Sequence, residues 1–478
     1  FTMTQAKTSP RPARLSGNLG VGSIVFMVIA AAAPLTVIGG NVPLAIGTGN
    51  GVGAPFGFLI ASLILLVFAV GFVAMTPHVK QAGAFYSYVT QGLGLRAGMG
   101  SAYLALVTYT AIQAGVYGYM GWAVNDLVVH YGGHAHPWWM YSLLAIAAVA
   151  ILGYRHIELS SKILGIALVL EIGVVLIMNF SILHKGGAEG ISLVSFEPTA
   201  AFSHGLGIAV LFALTGFIGF ESTAIFRDES RNPEKTIPRA TYLAVVIIGV
   251  FYTFSAWAMI VGSGYSHAVS VANNTLSGNG NMLLDIARQY NGALLSNTIQ
   301  VLLISSIFAC VLSFHNVLAR YQYVLAGQGF MPKFLSAVHG EHQSPANSSL
   351  VQSLTALLLI IVCALCKLEP LTQVFGFMAG ISTVGIVLLM LLTSISVVMF
   401  FKKNSTLSQG KRLRTFWIPA LAVVALAVSL LMVLSNFTTL TGGSLFISTL
   451  LAAIPVAALL IGYSVINKRQ ILVSGLSS

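Results

Sequence analysis

Charged residues are scarce in this sequence: only 7% of its 478 residues are Asp, Glu, Lys or Arg. Ordinary soluble domains carry about 25%, whereas 56% of this chain is hydrophobic and its mean hydropathy is +0.89. Cysteine is also rare, and Cys310, Cys363 and Cys366 all fall in apolar stretches. The composition therefore excludes a soluble globular protein, and the cysteines give no basis for a disulfide framework or a soluble zinc site.

Several motifs of membrane-embedded enzymes are missing as well. The chain has no His-Glu-x-x-His pair, no aspartate-rich motif for diphosphate chemistry and no Gly-x-Ser-x-Gly nucleophile turn. We therefore expect neither enzymatic activity nor a cofactor or a metal site.

Long apolar runs dominate the sequence instead. A run of about 20 apolar residues spans a hydrocarbon core of about 30 Å. We predict an all-α polytopic membrane protein with twelve transmembrane helices. The runs cover residues 19–47, 54–75, 98–130, 137–154, 159–182, 204–226, 238–262, 294–325, 348–366, 370–401, 415–436 and 444–466.

The basic residues behind the formal charge of +11 are distributed unevenly among the segments between the apolar runs. With a cytoplasmic N-terminus, twenty Lys and Arg residues fall in cytoplasmic segments, and only Lys185, Arg288 and Lys367 fall in outer loops. This positive-inside bias predicts a multi-pass cell-membrane protein with both termini in the cytoplasm, and it explains the charge without nucleic acid. The first apolar run is too long for a signal peptide, so we expect none to be cleaved.

Two runs contain helix-breaking residues. In the first, Pro34 interrupts an alanine-rich stretch and precedes Gly39-Gly40; in the sixth, Gly216 and Gly219 precede Glu221. Interrupted helices in equivalent positions of two halves indicate the midplane binding site of a transporter. The alternative is that glycine and proline only permit close helix packing. This alternative explains one such run more easily than two runs in equivalent positions.

One carboxylate lies inside an apolar stretch. Glu171 is near the middle of the segment from Ile163 to Phe180, where a charge costs roughly 2.5–3.5 kcal/mol on insertion scales. Three interpretations are open: Glu171 takes up and releases a proton, it attracts a cationic substrate or ion, or it is a hydrogen-bonded structural residue.

Several segments resemble the amino acid–polyamine–organocation (APC) transporter superfamily. The most specific is Gly219-Phe220-Glu221-Ser222 followed by residues 228–240, which is similar to the signature between helices 6 and 7 of that superfamily. Residues 77–88, 161–163 and 320–332 agree with it too, so the resemblance covers most of the chain.

The resemblance implies a LeuT-like fold with 5+5 inverted repeats and discontinuous helices 1 and 6. Repeat one would cover about 18–182 and repeat two about 203–401, followed by two extra helices in about 412–467. We therefore expect one transmembrane domain, 18–467, between cytoplasmic tails at 1–17 and 468–478.

The interrupted helices supply the candidate substrate site. Half-helix ends expose N–H groups that attract carboxylates and carbonyls that attract cations. Many relatives have a Gly-Ser-Gly-like turn in helix 1, whereas this chain has residues 34–38 as Pro-Leu-Thr-Val-Ile; this leaves amino acids and decarboxylated amines both open. The candidate substrate residues are Ala33, Pro34, Thr36, Val37, Ile38, Gln113, Thr215, Gly216, Phe217, Gly219, Phe220 and Phe314.

Four more residues are candidates for coupling or gating: Glu171, Glu221, His315 and Tyr109. Glu171 lies nine residues after Lys162, and many relatives carry a lysine there that serves proton coupling; a carboxylate can instead exchange a proton. Glu221 recurs in the superfamily, where it stabilises the broken helix. An unperturbed histidine titrates near neutral pH, which makes His315 a candidate, and Tyr109 shares a helix side with Gln113 and Tyr117; packing is the alternative for each.

Together these observations predict a permease, a secondary active transporter of amino acids or closely related amines that works by alternating access. It would be proton-coupled or an antiporter, with the lipid bilayer and a proton or cation as partners. The alternative is a polyamine or organic-cation transporter that uses Glu171 as charge partner. A membrane-embedded enzyme or a channel is a remote alternative, and the oligomeric state is not readable.

Overall fold

The chain is seen in a computed structural model that describes residues 19–79, 85–155, 161–338 and 345–466. The predicted tails, 1–17 and 468–478, lie outside the described residues. Within those ranges all extended regular elements are helices, and the only β-type pairing is an isolated bridge between Leu19 and Ser230. The prediction of an all-α membrane protein is confirmed.

The principal helices follow the predicted runs. The first has two parts: α1a (Val21–Ala32), and α1b, which passes through Pro34–Thr36, Val37–Asn41, Val42–Leu44 and Ala45–Asn50. The others are α2 (Ala54–Met75), α3 (Leu95–His130), α4 (Trp138–Tyr154), α5 (Ser161–His184), α6 (Leu206–Thr215), α7 (Pro233–Ser263), α8 (Met282–Gly327), α9 (Ala346–Leu365), α10 (Gly376–Lys403), α11 (Ile418–Ser435) and α12 (Leu445–Val465).

Nine stretches of the described ranges are long and apolar enough to cross a bilayer, and the first of them, Val21–His78, contains both α1 and α2. The helix α4 is apolar but shorter, with 17 residues. The 36-residue α3 is not among the nine, although it is long enough. Each predicted run therefore coincides with a helix, while twelve membrane crossings and the division into two repeats stay predictions.

Local sequence explains where several helices begin. Asn281 caps α8 by accepting the Leu284 N–H through its side chain at 3.3 Å, and Ser444 caps α12 in the same way. Proline opens α7, where its missing N–H is not needed. In α8, Gly292 (φ 84°) interrupts the helical backbone, so residues 282–291 form a short helical segment ahead of the long one.

Burial separates a central group of helices from a peripheral one. Every residue of α6 is buried, and α6 packs against α2, α10 and α11. The helix α11 instead exposes an apolar stripe that suits lipid contact; it comprises Leu421, Val424, Val428 and Leu431. The interrupted helices therefore lie inside the bundle, and the last two helices lie towards its periphery.

Candidate substrate site at two broken helices

The first transmembrane helix is interrupted at Ala33, as predicted. Its backbone (φ 48°, ψ 70°) is left-handed, which a residue with a Cβ rarely adopts. The Ala33 N–H donates to the Ala30 carbonyl at 3.1 Å and closes α1a. Pro34, which has no N–H to leave unpaired, then opens α1b. Ala33 is buried, so this turn lies inside the protein.

Glu171 caps the start of α1b. Its carboxylate accepts a hydrogen bond from the Ser306 hydroxyl at 3.0 Å and lies within electrostatic reach of the Leu35 N–H. The Thr36 hydroxyl in turn donates to the Ser306 oxygen at 3.1 Å. An anion at a half-helix N-terminus is electrostatically favourable, so α5 and α8 together hold the beginning of α1b.

The sixth helix is interrupted at Gly219, also as predicted. After α6 the chain makes turns up to Gly219, whose φ of 114° favours glycine, and then continues as a 3-10 helix, Phe220–Glu229. Glu221 accepts the Gly219 N–H at 2.9 Å through one carboxylate oxygen, and the Tyr109 hydroxyl donates to the other. Glu221 therefore caps the helix segment in which it stands and ties that segment to α3.

The two interruptions lie against each other. The Tyr252 hydroxyl on α7 contacts the Gly216 carbonyl at 3.0 Å and the Ala32 carbonyl at 3.4 Å. These carbonyls belong to the C-terminal ends of α6 and α1a, which carry partial negative charge. A methyl group added at Gly216 would lie 2.9 Å from a Val37 methyl carbon. One tyrosine and this close packing therefore couple the two broken helices.

The remaining substrate candidates of the sixth helix have packing partners. The Phe217 ring meets the Tyr252 ring edge-on at 5.4 Å between centroids, beside the interruption. The Thr215 hydroxyl lies 2.7 Å from the Thr383 hydroxyl of α10. The Phe220 ring packs away from the interruption, against Phe68 at 5.9 Å. Of these three side chains, Phe217 is the one in contact with Tyr252.

Aromatic side chains of α3 and α8 meet next to Glu221. The Phe314 ring stacks on Tyr109 at 6.2 Å, and the Tyr321 ring meets Tyr109 edge-on at 6.4 Å. The Tyr321 hydroxyl is buried and has no hydrogen-bond partner among the described residues. Phe314 and Tyr109 are thus brought together, and a free hydroxyl lies in the same group.

Two polar candidates are part of the helix scaffold. Gln113 accepts from the Gln352 amide at 2.8 Å, and Gln322 donates to Gln352 at 2.9 Å, so three buried glutamines link α3, α8 and α9. His315 lies 2.8 Å from the Ser349 hydroxyl of α9, and its imidazole packs so closely on Gly153 of α4 that a methyl there would clash. Ile38 is fully buried in the same core.

The centre contains two buried acidic side chains. Neither Glu171 nor Glu221 is paired with Lys, Arg or His within the described ranges. Across those ranges, no group of three or more His, Cys, Asp or Glu residues is arranged to hold a metal. Two buried acidic side chains and the carbonyl ends of α1a and α6 therefore lie at the interruptions without a paired cation among the described residues.

A separate cavity of about 490 Å³ lies among α3, α4 and α8. Its lining is almost wholly apolar and contains none of the predicted site residues. It is formed by Met120, Val124, Tyr141, Leu144, Ala145, Val301, Ile304, Ser305 and Phe308.

Sequence reasoning missed four participants: Leu35, Tyr252, Ser306 and Tyr321. A backbone N–H such as that of Leu35 leaves no mark on residue type. A hydroxyl in an apolar helix is a weak signal, since serine and tyrosine commonly bond within or between transmembrane helices. The adjacent pair Ser305-Ser306 was the one signal that pointed to a polar face on α8.

Known proteins resemble this chain along most of its length. A family model described as amino acid permease matches residues 23–474. The branched-chain amino acid permease BcaP of Bacillus subtilis (strain 168) is 23% identical over 443 residues, covering 86% of this chain and 85% of BcaP. The serine/threonine exchanger SteT of the same strain is 24% identical over 350 residues, covering 70% and 76%.

A third relative is named for a different substrate. The low-affinity putrescine importer PlaP of Escherichia coli (strain K12) is 23% identical over 320 residues, covering 64% of this chain and 66% of the importer. The chain thus spans just under two thirds of the length of that relative. Because the family model matches nearly the whole sequence, from residue 23 to residue 474, the chain belongs to the amino acid permease family.

Proposed function

We propose that this protein is a secondary transporter that carries amino acids or closely related amines by alternating access. The observation that carries the proposal is the meeting of two interrupted helices in the buried centre, where the Tyr252 hydroxyl contacts the ends of both. Backbone left open at such depth is tolerated where it lines a binding site. We propose no covalent chemistry.

The names of the relatives support this range of substrates. They include a branched-chain amino acid permease, a serine/threonine exchanger and a putrescine importer. All three names describe movement of small amino-group compounds across a membrane. Identities of 23–24% do not choose among these substrates, so the proposal covers amino acids and amines together.

Glu171 is the proposed coupling residue. Its carboxylate links α5, α8 and the start of α1b, so a tilt of α1 during alternating access would break these contacts. Protonation of the carboxylate would weaken them in the same way, because a neutral acid is a poorer partner for a helix N-terminus. We therefore propose proton coupling or exchange, in a cell membrane with both termini in the cytoplasm.

Counterflow in proteoliposomes tests the proposed function. Purified protein is reconstituted into vesicles preloaded with one unlabelled compound, and entry of trace label is followed for branched-chain amino acids, serine, threonine and putrescine. We expect saturable, trans-stimulated uptake of at least one unmodified compound. A flux that does not saturate would indicate a channel, and a chemically altered product would indicate an enzyme; either result overturns the proposal.

A pH gradient tests the coupling part. Uptake should accelerate when the vesicle interior is alkaline, and Glu171→Gln should remove this response. Glu189→Gln, which changes an exposed carboxylate of the outer surface, is the matched control and should keep it. Uptake that ignores the gradient in the unaltered protein, with exchange also absent, would contradict proton coupling and antiport alike.

A further inference from the structure

We infer that the transported compound is an alkyl ammonium ion without a carboxylate, a conclusion that rests on the proposed transport function. A zwitterionic amino acid needs two complementary places in the centre: donors for its carboxylate and acceptors for its ammonium group. Among the described residues, the protein's own acidic side chains occupy the position of the substrate carboxylate. Hydrogen-bond acceptors for an ammonium group remain in excess.

The donors of the first break are already used. The start of α1b is where a substrate carboxylate would find backbone N–H groups. Here the Ser306 hydroxyl donates to the Glu171 carboxylate at 3.0 Å, and the Leu35 N–H lies within electrostatic reach of the same carboxylate. Glu171 is 6% exposed. A second carboxylate arriving here would meet the acidic side chain of Glu171, which already occupies the start of α1b.

The donors of the second break are used as well. The Gly219 N–H donates to one oxygen of Glu221 at 2.9 Å, and the Tyr109 hydroxyl donates to the other. Glu221 is 2% exposed. Both half-helix N-termini at the centre are therefore capped by internal carboxylates, one from α5 and one from the interrupted helix itself.

Acceptors, in contrast, are in surplus. Four carboxylate oxygens and the carbonyl ends of α1a and α6 lie in the centre, and one Tyr252 hydroxyl serves both carbonyl ends. Neither carboxylate has a cationic partner within the described ranges. An ammonium group brings donors and a positive charge and no acceptor, which is the complement of this set.

An independent observation points to a ligand at the same place. The Tyr321 hydroxyl is buried and has no hydrogen-bond partner among the residues described, and such groups normally find one. Its ring meets that of Tyr109, whose hydroxyl donates to Glu221. The phenol oxygen can accept from an ammonium group beside Glu221, so a bound amine would satisfy it.

The test uses compounds that differ only by a carboxylate. Binding to the full chain in lipid nanodiscs is measured calorimetrically for putrescine against ornithine, cadaverine against lysine and ethanolamine against serine. We expect one or more amines to bind at least tenfold tighter than the matched amino acid, which corresponds to about 1.4 kcal/mol. Equal binding, or tighter binding of the amino acid in every pair, overturns the inference.

Variants locate the amine. Glu171→Gln should weaken amine binding at least tenfold, whereas Glu189→Gln should leave it unchanged. Tyr321→Phe should weaken amine binding several-fold while leaving the melting temperature without ligand equal or higher, because it removes an unpaired buried hydroxyl. This second variant keeps the test decisive if Glu171→Gln fails to fold. Undiminished amine binding in Tyr321→Phe and in folded Glu171→Gln would overturn the assignment.

Two further outcomes separate the hypotheses. If the vesicles take up amino acids but no amine, the inference fails and the proposed function stands; if they take up neither, both fail. A sodium ion is the competing occupant, and it predicts that NaCl, but not KCl at equal concentration, raises the melting temperature while amines do not. That result would also overturn the inference.

Discussion

The two interrupted helices differ in where their caps come from. At the first interruption the left-handed residue is an alanine, Ala33, and the capping carboxylate belongs to Glu171 of another helix. At the second, the left-handed residue is Gly219 and the capping carboxylate belongs to Glu221, two positions further along the chain.

The two caps therefore respond differently when the helices move. Because the Glu221 cap is local, the turn at Gly219 can move as a unit and keep its main hydrogen bond. The cap of α1b lasts only while α1, α5 and α8 keep their relative positions, since Glu171 and Ser306 lie on the last two. We therefore expect Glu221 to matter most for stability and Glu171 most for transport.

Removing the local cap should have the largest effect on stability. Glu221→Ala leaves the Gly219 N–H and the Tyr109 hydroxyl without their acceptors in the dry centre. Each orphaned donor costs about 1–3 kcal/mol. Glu171→Ala should cost less, because the Ser306 hydroxyl can turn towards Thr36 and only the Leu35 N–H is left. Thermal unfolding in detergent measures both variants.

Glu189→Gln serves as the control for loss of a carboxylate and should unfold almost as the unaltered protein does. If Glu171→Ala destabilised the protein as much as Glu221→Ala, the cap from another helix would contribute as much stability as the local cap. That result would contradict the proposed difference between the two interruptions.

Exchanging the left-handed residues should shift stability in opposite directions. Gly219→Ala forces a side chain into a backbone region at φ 114° and should cost about 1–3 kcal/mol. Ala33→Gly relieves about 1–2 kcal/mol of left-handed strain, offset by about 0.4–1 kcal/mol of added freedom in the unfolded chain. We expect a net change between about 0 and a gain of about 1.6 kcal/mol from Ala33→Gly, measured by the same unfolding assay.

A shift of both variants in the same direction would show that the two turns do not differ in backbone strain. The nearest atom to a methyl group added at Gly219 is the Ala31 side chain at 3.5 Å, an ordinary contact. Loss of stability in Gly219→Ala is therefore attributable to the backbone and not to a clash.

We expect the smallest effect on stability from changing Glu189, an exposed carboxylate that also accepts a hydrogen bond from a hydroxyl group. In the loops that follow α5 and α7, Glu189 accepts from the Ser266 hydroxyl and lies 2.9 Å from the His267 ring nitrogen. These hydrogen bonds, led by that of Ser266, lower the pKa of Glu189. A lowered carboxyl pKa stabilises the fold above the unfolded value of about 4.3, and this contribution is lost as the pH falls through the lowered pKa.

Hydrogen exchange at residues 264–267, corrected for intrinsic rates, should therefore speed up below about pH 4 in the unaltered protein. Glu189→Gln should exchange at the faster rate at neutral pH and show no such transition. An identical pH response in both proteins would assign the loosening to other groups. Because water screens exposed pairs, we expect no measurable change in transport.

Much of the fold was readable from local sequence. The apolar runs predicted the helices because a bilayer-length helix needs about 20 apolar residues, and Pro34 and Gly219 predicted the interruptions because each limits backbone geometry. The resemblance to the superfamily implied that Glu221 stabilises the broken sixth helix, and the structure places its carboxylate on the Gly219 N–H. Phe217 and Phe314 were expected near the centre, and the structure brings each into contact with a tyrosine of the site.

The sequence did not show which side of each helix faces lipid and which side faces the protein interior. Lipid and protein interior are equally apolar, so a transmembrane helix need not show a polar stripe that marks its exposed side. Gln113 and His315 illustrate this: both were candidates for the site or its coupling, and the structure gives them partners on α9.

The sequence by itself determined that this chain crosses a membrane, where its helices run and where two of them break, because these features depend on hydrophobic length and on the backbone limits of proline and glycine. Only the tertiary structure decided that Glu171 meets the start of α1b and that Tyr252 joins both interruptions. Those contacts depend on how helices distant in sequence rotate and pack, which apolar composition leaves unspecified.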